Sequence, residues 1–466
     1  MKKIQQKAFW IAFGDFSWRG FSFITSIYLA RTLGTEYYGL IVIAISMLGY
    51  CFWFADLGLV NIAIREVAKV PEKRLFRAKE IFNMKVFLGM VVLIFSFLII
   101  SNLDIESDNK NIVLGYLYSI IPYALMMEWY FNGRQQFGKV ALSKAANGFV
   151  YFAFIFLLIK KPEDITLVPY IYVAGTVVAA IILGVFAFFD KPFPLPSRGI
   201  NIYGDLLKTS SVLGIGWFFT QLVQLLPPIL IGIFLSVSQA GLYGAAYRII
   251  IIVMLLDRVF INLLLPNLSA IWSTDRSLAK ERVNMVLKII IAGGIMLTTL
   301  MALNAEFAVS LLYGTDYVGS VIILKYLSLF ILFTFMNSLF SFGLIATGKD
   351  REYLIANVIG GIISAVLIIS FAKFGSSKGV AISVTVSEFV MMSCAYYWFN
   401  KTIPVKFITV FLILFTTALL YYILASTYQV HFIIASIGSV LLLSFVSWLT
   451  GAVRLNELLW IKNKWS

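Results

Sequence analysis

Asp15 and Arg19 stand four residues apart within an apolar stretch, so on a helix they share one face, which Ser22 and Ser26 continue. A lone charge at mid-bilayer costs at least about 2.5–3.5 kcal/mol, so such a face turns toward a partner or water rather than lipid. Arg19 lies about 16 Å from the nearer end of its stretch at 1.5 Å per residue. Arg248, Arg258 and Lys325 are further bases inside apolar stretches, and Trp217, Gln221 and Gln224 form a polar stripe at i, i+4, i+7. Among the acids, Asp56 and Glu128 fall near the ends of their stretches. Glu388 follows Ser383, Thr385 and Ser387 near the middle of another, where a carboxyl could take up and release a proton. Each has a structural reading beside the functional one. Asp15–Arg19 could only hold helices together, Arg248 and Lys325 could snorkel to a headgroup layer, Arg258 could pair with Asp257, and Glu388 could be a packing residue that stays protonated.

The elements that position these residues follow from composition. Of 466 residues 61% are hydrophobic and only 13% charged, against about 45–50% and about 25% in soluble proteins. Apolar segments fall at about 9–30, 39–62, 83–101, 112–131, 140–159, 165–189, 208–235, 243–265, 286–304, 319–342, 354–374, 379–399, 406–425 and 432–453. Each can cross about 30 Å of hydrocarbon as a helix, the conformation that satisfies the backbone within one segment. The expected fold is an all-α polytopic membrane protein of about fourteen spans. Met1-Lys2-Lys3 precedes a long segment carrying Asp15 and Arg19, which is read as a retained first span rather than a cleaved signal.

The net charge of +14 would invite nucleic acid in a soluble protein, but here it distributes by loop. Most of the 37 Lys and Arg fall in loops on the side of the N-terminus, with Lys85 and Lys144 counted among them, which places both termini in the cytoplasm. Arg19, Arg248, Arg258 and Lys325 remain inside spans. One histidine (His431) and two distant cysteines (Cys51, Cys394) offer no metal or thiol site. No P-loop and no Ser/His/Asp set is present, so neither an enzyme nor an ATP-driven pump is expected, and no cofactor or metal is implied.

The Pro-rich stretch Asp190–Arg198 divides the chain. Residues 1–190 read as an N-terminal six-helix lobe, 191–207 as a cytoplasmic linker, 208–400 as a second six-helix lobe, and 401–466 as two further helices with a cytoplasmic tail. Gly14-Asp15-Phe16 aligns with Gly216-Trp217-Phe218, and Gly39-Leu40 with Gly241-Leu242, both at an offset of 202, while Gly138-Lys139 and Asn147 match Gly348-Lys349 and Asn357 at 210. An even number of spans per copy makes this a parallel repeat, an architecture that binds substrate between its halves near mid-membrane.

Ala30-Arg31-Thr32-Leu33-Gly34 followed by Tyr38-Gly39 resembles the span 1–2 signature of polysaccharide flippases of the O-antigen transporter (Wzx) type, within the multidrug/oligosaccharidyl-lipid/polysaccharide exporter superfamily. Asp56-Leu57-Gly58, Glu128-Trp129 with Gly133, Gly241-Leu242-Tyr243 with Ala245-Ala246-Tyr247-Arg248, Tyr313-Gly314 with Tyr317, Gly348-Lys349 and Ser387-Glu388 extend the likeness over about 8–400. One departure is the spacing of Gly375 and Gly379, with three residues between them (Ser376, Ser377, Lys378) where two are more usual. The resemblance implies a bacterial inner-membrane protein. Its substrate would be an oligosaccharide on undecaprenyl diphosphate, carried from the cytoplasmic to the periplasmic leaflet by alternating access. Arg19, Arg258, Arg248 and Lys325 would hold the diphosphate, since guanidinium groups match phosphate oxygens bidentately, and Gln221 and Gln224 would contact sugar hydroxyls. Asp15, Glu128 and Glu388 are the candidates for coupling to protons or sodium. A polysaccharide polymerase and a chain-length regulator are the implied protein partners. The alternatives are a cation-coupled multidrug antiporter of the same superfamily, a lipid II flippase, and a membrane-embedded polymerase or ligase; the last needs a large outer loop that the chain lacks.

Overall fold

The computed structural model describes residues 2–68, 71–103, 106–190, 203–257, 268–269 and 271–451, and every regular element among them is helical. Twelve helices are long and apolar enough to cross a membrane. The first, within α1 (Lys2–Asp56), is two spans joined at a kink at Gly34, where φ is 76° and ψ 179°. That conformation is open to glycine and strained for a residue with a Cβ. α9 (Tyr203–Phe234) adds the shorter apolar segment Gln221–Phe234, so the fourteen spans read from the sequence are all represented.

Two compact units are distinguished, Met1–Gly244 and Ala245–Ser466. In the first, α2 (Leu59–Ala68) and α3 (Pro71–Ser101) lead to a fourth span built from three pieces, α4 (Ser107–Leu117), α5 (Ile120–Leu125) and α6 (Glu128–Gly133). The first interruption follows from Pro122, which has no N–H to return to the carbonyl of Tyr118. The second comes at Met126, whose ψ of 129° is extended. α7 (Phe137–Leu158) and α8 (Val168–Phe189) complete the bundle. Its core gathers Leu59, Ala63, Ile81, Trp129, Phe131 and Leu183, while Phe87, Ile94, Phe95 and Leu98 of α3 stay exposed, as a lipid-facing surface requires.

Close backbone approach organises this unit. Gly14 packs on Ala141, where an added Cβ would lie 2.8 Å from the Ala141 Cα, so α1 and α7 run in direct contact. Gly39 and Gly241, partners in the 202-residue offset, meet each other: a Cβ on Gly39 would sit 2.9 Å from the Gly241 nitrogen, and one on Gly241 3.1 Å from the Gly39 nitrogen. Ser238 Oγ donates to Thr35 Oγ1 at 2.9 Å beside them. Gly39→Val should therefore lower thermal stability by about 1–3 kcal/mol through overpacking. Gly20→Ala, at a glycine with open space around it, should cause no comparable loss when melting of the two purified variants is compared.

The second unit holds most of α10 (Val237–Val253), followed by α11 (Arg276–Leu303), α12 (Ala305–Tyr313), α13 (Gly319–Ala346), α14 (Asp350–Lys373), α15 (Ser377–Thr402), α16 (Ile408–Thr427) and α17 (Phe432–Leu449). Asp275 caps α11, accepting from the backbone N–H of Ser277 and Leu278. The core runs through Leu287, Ile291, Leu339, Phe340, Phe399 and Leu414. Leu412, Leu420, Leu441 and Phe445 remain exposed on α16 and α17.

Candidate functional site

The first unit concentrates charge inside its spans. Lys144, two turns into its span on α7, donates from Nζ to Asp15 Oδ1 at 2.8 Å and lies 3.8 Å from Glu128 Oε2. The close packing of Gly14 on Ala141 brings α1 near enough for this reach. Arg19, one turn beyond Asp15 on the face the spacing predicts, interacts electrostatically with Lys144. On α3, Lys85 is 3% exposed, sits 3.8 Å from Asp56 Oδ1 and lies over the Tyr123 ring at 5.1 Å. Glu128 acts electrostatically on both Lys85 and Lys144 and so links the two pairs. Three bases and three carboxylates thus balance one another.

Lys85 and Lys144 correct the loop count made from the sequence. Both lie inside spans, Ala78–Ser101 and Phe137–Leu158. The signal was present for each, because Phe82, Met84, Val86 and Phe87 surround Lys85, and Val140, Ala141, Leu142 and Ala145 surround Lys144.

The two pairs are unequally exposed. The side chains of Lys144, Asp15 and Glu128 are 30%, 35% and 29% exposed. A cavity of about 390 Å³ beside them is lined by Trp10, Asp15, Asn132, Gln135 and Lys144 among others. Outside the spans, Arg134 Nη1 donates to Asp190 Oδ2 at 2.5 Å, with Lys139 3.3 Å from the same oxygen. Partial burial opposes the Arg134 charge, but the Tyr130 hydroxyl and the Asp190 carboxylate outweigh it and raise the guanidinium above its ordinary value.

In the second unit Glu388 is buried and accepts from Asn337 Nδ2 at 2.9 Å, and Ser341 Oγ donates to Asn337 Oδ1 at 3.0 Å. No base lies within ion-pair distance of Glu388 among the described residues. Asp257 accepts from Ser338 Oγ at 2.7 Å. Gln221 is half-buried and Gln224 exposed on α9, while Arg248 and Lys325 are half-buried. Arg258, expected to share in the site, lies outside the described residues. The structure therefore brings together Asp15, Arg19 and Glu128 through a lysine that was counted as a loop residue, and it places Glu388 in a separate polar cluster.

The profile of the family described as "Polysaccharide biosynthesis protein" matches residues 4–272. A protein of Escherichia coli K12 named as an O-antigen transporter is 19% identical over 380 residues, 79% of this chain and 90% of its own length. The low-salt glycan biosynthesis flippase Agl15 of Haloferax volcanii is 21% identical over 389 residues, 79% of this chain and 78% of its length. Among solved structures, the lipid II flippase MurJ in an inward closed conformation superposes with a TM-score of 0.75 at 15% identity, covering 94% of this chain and 97% of MurJ. An inward-facing multidrug resistance MATE transporter of the MOP superfamily gives 0.68 at 13% identity, covering 82% and 94%. The fold is therefore that of these transporters.

Proposed function

Because the chain belongs to the polysaccharide biosynthesis protein family, we propose that it is a flippase for undecaprenyl-diphosphate-linked oligosaccharide, moving the sugar-bearing end from the cytoplasmic to the periplasmic leaflet by alternating access. The observation that carries this reading is the partly exposed, charge-balanced cluster of Asp15, Arg19, Glu128 and Lys144 inside the spans, beside a cavity. The names of the relatives, an O-antigen transporter and a glycan biosynthesis flippase, support the substrate class.

A diphosphate entering this cluster competes with Asp15 and Glu128 for Lys144, and Arg19 offers it a bidentate fork. The cluster is neutral before binding, so added negative charge in a low-dielectric region must be compensated. Uptake of a proton or sodium ion by the displaced carboxylates supplies that compensation and ties substrate binding to a cation gradient. Glu388, held by Asn337, is a second coupling candidate. Gln221 and Gln224 serve sugar hydroxyls, with Arg248, Arg258 and Lys325 as further anion contacts. The two repeated halves rock to expose the cavity to each leaflet in turn, with both termini in the cytoplasm.

The test is loss and complementation. Deletion of the gene should abolish surface polysaccharide, and Arg19→Ala should insert normally yet fail to restore it. Normal polymer length and amount from Arg19→Ala would overturn the cationic-cavity reading.

A further inference from the structure

The second unit carries a site that the transport cluster does not use. A pocket of about 540 Å³ lies where α13 and α15 end and α11 and α14 begin, and Arg276, Lys280, Lys349, Lys401, Trp272 and Trp398 are among its lining residues. One carboxylate, Glu352, also lines it and is 3.3 Å from Lys349. That pairing leaves Arg276, Lys280 and Lys401 with no carboxylate in ion-pair distance among the described residues. Like charges drawn together by two separate helix ends repel one another, and an anion seated among them relieves that repulsion. The aromatic groups hold two of the cations in place: Arg276 lies over the Trp272 ring at 5.3 Å, and Lys401 lies over Trp398 at 4.9 Å and donates to the Tyr397 hydroxyl at 2.7 Å.

The position fixes the kind of anion. The pocket stands at the ends of four membrane-length helices, and tryptophans at helix ends mark the headgroup layer. Ammonium and guanidinium groups beside indole rings at that depth suit a phosphate bonded to a lipid. We propose that this pocket binds the phosphate of an anionic lipid headgroup, anchoring the second unit at that membrane face. A free phosphate anion shares the chemistry, and the experiment separates the two sources.

The intact protein is purified into phosphatidylcholine discs with or without phosphatidylglycerol, and retained lipid is counted by native mass spectrometry. The variant carries Arg276→Gln, Lys280→Gln and Lys401→Gln. A matched control removes three bases of the first unit, with Lys7→Gln, Arg65→Gln and Lys79→Gln. The wild type and control are expected to retain phosphatidylglycerol, and the pocket variant to bind it about tenfold or more weakly. A second variant, Lys280→Glu alone, should weaken retention in the same direction. If inorganic phosphate at millimolar concentration displaces the lipid from the wild type, the pocket reads phosphate from either source; if it does not, the pocket reads the lipid-bonded form. Equal retention by the pocket variant and wild type overturns the proposal. So does equal loss in the matched control, which would mean that net charge alone draws the lipid.

Discussion

Replacing Lys144 with Met is expected to lower surface polysaccharide in a complemented deletion strain about tenfold or more, with the protein still inserted and monodisperse. The ammonium stands between two carboxylates, 2.8 Å from Asp15 and 3.8 Å from Glu128. Without it, Arg19 is the remaining cation of the cluster, opposite two like charges. Each carboxylate in a partly dry region must then be protonated or draw in a cation, and a diphosphate finds one base where two stood. Because the three groups are about a third exposed, water screens the orphaned carboxylates, and the loss should fall on transport more than on folding. Lys144→Arg keeps the charge with a longer fork and should retain part of the activity. Unchanged polymer from Lys144→Met, at wild-type protein level, would remove this lysine from the mechanism.

Fourteen spans were legible because a sequence with this little charge has few places to put water-facing surface. The Asp15–Arg19 face was legible because four-residue spacing is local. The Lys144 bond to Asp15 was not, since it joins residues 129 apart in the chain and no periodicity reports a contact between helices. A lysine near a span end also has an ordinary reading as a headgroup anchor. That reading hid both Lys144 and Lys85, though apolar neighbours on either side marked them. Pro122 announced a disturbed fourth span, but the extended backbone at Met126 has no such sign in the sequence. Gly39 and Gly241 were visible as a repeat match; that the two touch is a fact of packing. Glu388 was readable as a buried acid, whereas its tie to Asn337 across 51 residues required the fold.

Lys85 should behave in the opposite way to Lys144, and the contrast tests whether exposure decides the role. Its side chain is 3% exposed against 16% for Asp56, with the Tyr123 ring beneath the ammonium. Removing one partner of a buried pair leaves an uncompensated charge and costs about 3–5 kcal/mol. Lys85→Met and Asp56→Asn should therefore each lower the melting temperature of the purified protein and its yield. The double variant Lys85→Met/Asp56→Asn should recover much of that loss, because no buried charge is left unmatched. Glu128 complicates the cycle, since it also acts on Lys85; Lys85→Met should therefore cost more than Asp56→Asn, which leaves the ammonium a carboxylate nearby. Melting curves for the two single variants and the double decide the point. If Lys85→Met melts as the wild type does yet exports no polysaccharide, the buried lysine belongs with Arg19 and Lys144 as a group that meets the substrate, and the division by exposure fails.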